Sequence, residues 1–143
     1  MDRPVEVVRR FFQLLHEGRA EDAVTLLSSD VVWRNTGFPT VRGGRVAAML
    51  LDMERRRIGF EAQIEHIAGD GDFVLTQRTD VLRFRRWESA FWVCGAFEVR
   101  DGRIVLWDDR FSLGNVLAAS LKGVAGAARS WRAGRQVRAA AAP

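Results

Sequence analysis

From Gly59 to Ser112 the chain reads as four consecutive strands, at about 59–68, 72–85, 88–100 and 103–112. Asp70-Gly71 and Asp101-Gly102 are strong hairpin signals, and Arg85-Arg86-Trp87 is a weaker one, so the strands form an antiparallel meander. Helical patterns come first. Val5, Val8, Phe12 and Leu15 recur at helical spacing over 4–17, with Gly18 placed to end the helix in a left-handed conformation. A second short helix is predicted over Ala20–Leu27, broken by Ser28-Ser29-Asp30 before a strand at 31–35. Pro39, Gly43 and Gly44 mark a loop, after which Val46, Ala47, Leu50, Leu51 and Met53 describe a third helix. Helices followed by a meander predict an α+β domain in which helices cover one face of a bent sheet, giving a cone with a pocket.

Several charges interrupt those strands. Arg78 and Asp80 lie two residues apart in Gln77-Arg78-Thr79-Asp80-Val81, and Asp109 lies in Leu106-Trp107-Asp108-Asp109-Arg110-Phe111. Residues i and i+2 of a strand share a face, so Arg78 projects with Asp80, and Asp109 with Trp107 and Phe111. Charges are rarely buried unless paired. Two carboxylates on one guanidinium can settle into different protonation states, which is what paired acid and base catalysis requires.

Composition narrows the class. At 143 residues, with 48% hydrophobic and 28% charged, the chain is most simply one globular domain. No apolar stretch is long enough to span a bilayer, so no integral membrane segment is expected. Met1-Asp2-Arg3-Pro4 leads into a charged amphipathic pattern without the apolar core of a signal peptide, which makes the cytoplasm the expected location. The net charge of +4 is misleading, because Lys122, Arg129, Arg132, Arg135 and Arg138 stand in a segment without acids and leave residues 1–121 at −1. Residues 122–143 are therefore set apart as a basic, Ala- and Arg-rich tail, expected to be solvated and partly disordered, and only Trp131 accompanies its charges. That is too few aromatics for a nucleic-acid face, so no nucleic-acid partner is expected. From Asn115 a weak helical pattern of Val116, Leu117, Leu121 and Val124 fades into this segment, and a basic amphipathic helix there could touch an anionic membrane surface. Cys94, between Val93 and Gly95, is expected to be a buried small hydrophobe. His66 and His16 are expected to serve packing or surface roles, and no His, Cys or acidic spacing suggests a metal or other cofactor.

Four stretches in order carry a resemblance: Trp33-x-Asn35, Gln77-Arg78-Thr79-Asp80-Val81-Leu82-Arg83, Gly95-Ala96-Phe97 with Asp101-Gly102-Arg103-Ile104, and Trp107-x-Asp109-x-Phe111. Together they resemble the limonene-1,2-epoxide hydrolase family, within the broader group of SnoaL-like and nuclear transport factor 2-like proteins. The resemblance implies a cone-shaped domain over residues 1–121, a curved mixed sheet under N-terminal helices, and often a homodimer. It implies Asp109 as general base, Asp80 as general acid, Arg78 as the bridge between them, and Asn35 as a holder of the attacking water. The family's water-holding Tyr is replaced by Trp33, in a chain with no Tyr at all. An indole N–H can donate to water as a phenol does, but it cannot accept. On the same strand faces, Trp107, Phe111, Leu82, Phe91 and Val93 are expected to line an apolar substrate wall, and the small residues Ala62, Ala90 and Gly95 to leave room for a bulky lipophilic epoxide. Two other readings fit the same cone: an isomerase or polyketide cyclase, and a noncatalytic pocket for a lipophilic ligand. The lack of Tyr argues against a Tyr-based oxyanion hole.

Overall fold

The computed structural model of the chain describes residues 3–140. Helix α1 (Pro4–His16) begins with Pro at its first turn and buries Val7, Val8, Phe11, Phe12 and Leu14. Gly18 ends it at φ +69°, with its N–H donating to the Leu15 carbonyl and that of Arg19 to the Leu14 carbonyl. That is the left-handed cap its position predicts. Helix α2 (Ala20–Val24) is shorter than expected, because strand β1 (Leu27–Asn35) starts four residues before Val31. The Ile104 N–H donates to the Leu26 carbonyl, and a register shift between Leu27 and Val32 absorbs Ser28-Ser29-Asp30 as an irregularity within the strand. A two-residue strand, β2 (Val41–Arg42), leads into helix α3 (Gly44–Arg55). Strands β3 (Gly59–Asp70), β4 (Phe73–Phe84), β5 (Trp87–Arg100) and β6 (Arg103–Arg110) follow as the predicted meander. Asp101 and Gly102 both adopt positive φ, as a two-residue hairpin turn requires.

The strands form one sheet in the order β2-β1-β6-β5-β4-β3. Only β1 and β6 pair in parallel, so the sheet is mixed. Its inner face meets α1, where Phe11, Phe12, Phe97 and Trp107 pack through a chain of edge-on and stacked ring contacts. β6 pairs with β5 only from Cys94 onward. The first half of β5 is met by helix α4 (Leu113–Ala140): the Trp87 indole donates to the Ser120 carbonyl, Ser89 and Ser120 hydroxyls lie 3.3 Å apart, and Gly123 packs on the Glu88 carbonyl where no Cβ would fit.

Two expectations need correction. The segment after Lys122, expected to be solvated and partly disordered, is largely exposed but continues α4 to Ala140, since Ala and Arg are among the strongest helix formers. Residues 141–143 of that segment, like Met1 and Asp2, lie outside the described residues. Cys94 is exposed, because inward-facing Val93 and Gly95 on either side turn it to the outer face. Among the described residues, no helix is long and apolar enough to cross a membrane.

Candidate active site

Strand register assembles the site. Trp33, Trp107, Phe97 and Val74 are paired neighbours across β1, β6, β5 and β4, and one step along the inner face come Asn35, Asp109, Gly95 and Thr76. Arg78 pairs with Val93, and Asp80 with Phe91. The parallel β1–β6 pairing sets Asn35 beside Asp109, bringing together residues 74 positions apart in the chain.

Arg78 is fully buried and sits between two carboxylates. Its Nε and Nη2 donate to Asp80 Oδ1 and Oδ2 at 2.7 and 3.1 Å, and Nη2 also reaches Asp109 Oδ2 at 2.7 Å. Its Nη1 donates to the Thr76 hydroxyl at 3.0 Å, and its guanidinium lies 4.6 Å from the Phe12 ring centroid. Planar geometry lets one cation fork onto Asp80 while also bonding Thr76 and Asp109, a fixed pattern that an ammonium lacks. Gly95 makes this reach possible. A Cβ there would overlap Arg78 Nη1 and stand 2.8 Å from Thr76 Oγ1 and 2.9 Å from Asp109 Oδ1.

Burial dominates the electrostatics. Desolvation pushes the Asp109 carboxyl up to about 6, outweighing the opposing pull of Arg78, and raises Asp80 in the same direction for the same reason. Arg78 is itself held more firmly protonated, the attraction of the two carboxylates exceeding its own desolvation. Asp109 Oδ1, Trp33 Nε1 and Trp107 Nε1 are buried without a hydrogen-bond partner among the described residues. The Trp107 indole nonetheless lies close enough to Asp109 to oppose its rise slightly. Trp33 stacks on Trp107 at 4.4 Å between ring centroids.

These groups open onto a cavity of about 670 Å³. Of the residues expected from sequence, Asp80, Asp109, Trp33, Asn35, Trp107, Phe111, Leu82, Phe91 and Val93 line it. Arg78 lies beneath the lining, bonded to the two carboxylates that do line it. Ala62 does not line it: paired with Asp80 on β3, it packs against the hydrophobic core. Ala90 is exposed, and the space left at Gly95 is taken by Arg78, so neither adds room for a ligand. His16 is exposed at the cavity rim, and His66 is exposed beside the β3 irregularity. Three contributors went unread in the sequence. Thr76 was accessible in principle, since Thr-x-Arg-x-Asp alternation puts it on the Arg78 face. Phe12 and the α3 wall of Met49, Leu50 and Met53 meet the site only through tertiary packing. Among the described residues, no group of three His, Cys, Asp or Glu is placed to hold a metal ion.

The arrangement has relatives. Residues 2–122 match the family model described as the limonene-1,2-epoxide hydrolase catalytic domain. The chain is 42% identical over 117 residues to the epoxide hydrolase EphG of Mycobacterium tuberculosis, covering 82% of this chain and 78% of that protein. A solved structure of an LEH-like epoxide hydrolase from M. tuberculosis superposes with a TM-score of 0.81 at 40% identity, covering 85% of this chain and 92% of the other. A putative polyketide cyclase from Pseudomonas putida superposes at 0.70 with 16% identity, covering 84% and 99%, a likeness of fold alone. Family model, sequence identity and superposition all span the strands that carry Asn35, Arg78, Asp80 and Asp109, and by them this chain belongs to the limonene-1,2-epoxide hydrolase family.

Proposed function

We propose that this protein is an epoxide hydrolase that opens a lipophilic epoxide to a vicinal diol in one step, without a cofactor. The observation that carries this reading is a single buried guanidinium bonded to two carboxylates on the wall of an apolar cavity. Asp109 is the general base. Its free Oδ1 accepts a proton from water, the Asn35 carbonyl takes the water's other hydrogen bond, and the Trp33 indole donates to one lone pair. The second lone pair attacks an oxirane carbon. As that C–O bond forms and the ring C–O bond breaks, protonated Asp80 delivers its proton to the departing oxygen. Turnover moves one proton onto Asp109 and one off Asp80, so resetting the site needs only its transfer back.

The forked bond from Arg78 favours an ionised Asp80 and opposes the burial that raises it, whereas acid catalysis needs it protonated. Substrate and water reverse this preference. An apolar ligand against Asp80 adds desolvation and raises it, while a water donating to Asp109 Oδ1 stabilises the ionised base. Phe38, Met49, Phe60, Leu82, Phe91 and Phe111 around the cavity suit a hydrocarbon body.

A panel of epoxides of increasing size, turned over in water labelled with heavy oxygen, tests the reading. The label should enter the diol in the first turnover. An unlabelled first-turnover diol would mean that oxygen came from a covalent carboxylate ester and would remove the one-step mechanism. Asp109→Asn and Asp80→Asn should each lower the rate by roughly 100- to 10,000-fold in folded protein, the usual scale for removing a general acid or base. Near-parental turnover in either variant would take that residue out of the mechanism.

A further inference from the structure

Helix α4 exposes a row of large apolar side chains. Leu113, Leu117, Leu121, Val124 and Trp131 are 46%, 63%, 62%, 57% and 54% exposed. Their spacings of four, four, three and seven keep them on one side of the helix, a stripe about 27 Å long at 1.5 Å per residue. Leu113 at the start of the row packs on Gly37, but the helix face toward β5 is made of small residues, including Ser120 and Gly123, so the rest of the stripe is not what holds α4 to the domain. Single exposed leucines are ordinary, but a continuous row marks a surface that something covers.

Charge indicates what covers it. α4 carries Lys122, Arg129, Arg132, Arg135 and Arg138 and no acidic residue. Helical geometry puts Arg135 on the stripe one turn past Trp131, with Arg132 and Arg138 flanking it, and the Arg135 guanidinium rests 4.6 Å from the centre of the Trp131 ring. A second copy would bring a helix of the same sign against this one. An anionic lipid surface supplies both an apolar layer for Leu117, Leu121 and Trp131 and negative charge for the arginines. The location fits as well. Val116 and Ser120, each adjacent in sequence to stripe residues, line the cavity together with Phe38 and Phe111. Most of the positive charge lies beyond residue 122, where the family match ends, so it belongs to a segment the family model does not describe.

We propose that α4 is a peripheral docking surface for anionic lipid bilayers, which holds the cavity wall formed by Val116 and Ser120 beside the membrane phase where lipophilic molecules dissolve. The docking rests on the helix alone. Its link to substrate delivery rests on the epoxide reading above, so the test measures binding without substrate.

The full chain is mixed with vesicles of phosphatidylcholine, and separately with vesicles in which about a third of the lipid is phosphatidylglycerol, and bound protein is measured by sedimentation. Binding to the anionic vesicles should be at least about tenfold tighter and should weaken as salt rises. The double substitution Leu117→Glu/Leu121→Glu should cut it about tenfold or more, while the circular dichroism melting curve stays that of the parent. Arg132→Glu/Arg135→Glu should weaken anionic binding and leave the weak binding to neutral vesicles unchanged. No binding to anionic vesicles, equal binding to both kinds, or binding indifferent to the leucine substitutions would each overturn the proposal. So would a dimer in sedimentation velocity that the leucine substitutions dissociate, accompanied by no vesicle binding, because the stripe would then belong to a second copy.

Discussion

Strand β4 holds two arginines, each bonded to two carboxylates, and they have opposite consequences. Arg78 on the inner face binds Asp80 and Asp109, while Arg83, five residues on and on the outer face, binds Glu61 and Glu88 at 2.8 Å each. The Arg78 side chain is 0% exposed and that of Arg83 is 43% exposed. Around Arg83 the hydrogen bond dominates, and Glu61 is held below the usual glutamate range. Around Arg78 desolvation dominates, and both aspartates are lifted. One cation between two anions is therefore not a site by composition. Burial turns the inner set into one, because only there does the neutral acid compete with the ion near neutral pH.

The largest effects should come from breaking the inner set. Arg78→Ala leaves two buried carboxylates without a counter-charge and should cost about 3–5 kcal/mol in urea unfolding. Gly95→Ala is the gentler version, since its new methyl occupies the space through which Arg78 reaches Asp109. Displacing the guanidinium by about an ångström should lower hydrolysis by about 100-fold. If Gly95→Ala keeps parental activity and stability, the close approach of Arg78 is not what shapes the site.

Titration should separate the two sets by sign. Asp109 has a folded pKa of about 6, above its value of about 3.9 when unfolded, so the folded state binds the extra proton in between. Its contribution to stability is complete below about pH 4 and is lost as pH rises through about 6, amounting to as much as about 3 kcal/mol. Asp80 works in the same direction. Glu61, held low, gives the opposite slope, with stability present above its unfolded pKa and lost on acidification. Comparing urea midpoints at pH 4.5 and 7.5, the parent should lose stability relative to Asp109→Asn. Equal shifts in the two proteins would mean that Asp109 is not a raised, buried acid. The rate should run the other way, with kcat/KM falling as pH drops through about 6 and the base takes up its proton.

Trp33 gives a smaller test. Trp33→Phe keeps a ring against Trp107 but removes the indole N–H, and it should lower kcat about tenfold with KM little changed. Trp33→Tyr should match or exceed the parent, offering a hydroxyl in a smaller side chain, although a new cavity offsets part of the gain. Parental rates in both variants would make Trp33 a wall residue and leave Asn35 and Asp109 to position the water alone.

Strand alternation explains why so much of this was legible in the sequence. A two-residue period puts Arg78 with Asp80 and Asp109 with Trp107 and Phe111 on the inner face, and the strands obey it there. The same rule read backwards would have placed Cys94 outside, between inward-facing Val93 and Gly95; its apolar neighbours concealed this. Ala62 lies on the correct face of β3 but too near the core to meet the cavity, a distance that no period encodes. Phe12 under Arg78 depends on how α1 crosses the sheet, and the continuation of α4 past Val124, where the apolar period fades, depends on helix propensity accumulated over many Ala and Arg residues.

The outer set supplies the smallest effect and completes the comparison. Arg83→Gln removes both of its ion pairs while keeping a polar side chain of moderate length on the outer face of the sheet. Glu61 and Glu88, with side chains 25% and 56% exposed, can then turn to water, so neither is left as an uncompensated buried charge. The cost should be below about 1 kcal/mol, and it should shrink further in high salt, where exposed pairs are screened. Hydrolysis should be unchanged, because Arg83 projects from the face opposite Asp80. A loss comparable to that of Arg78→Ala, in stability or in rate, would mean that the pairing itself, rather than its burial, governs both networks on this strand.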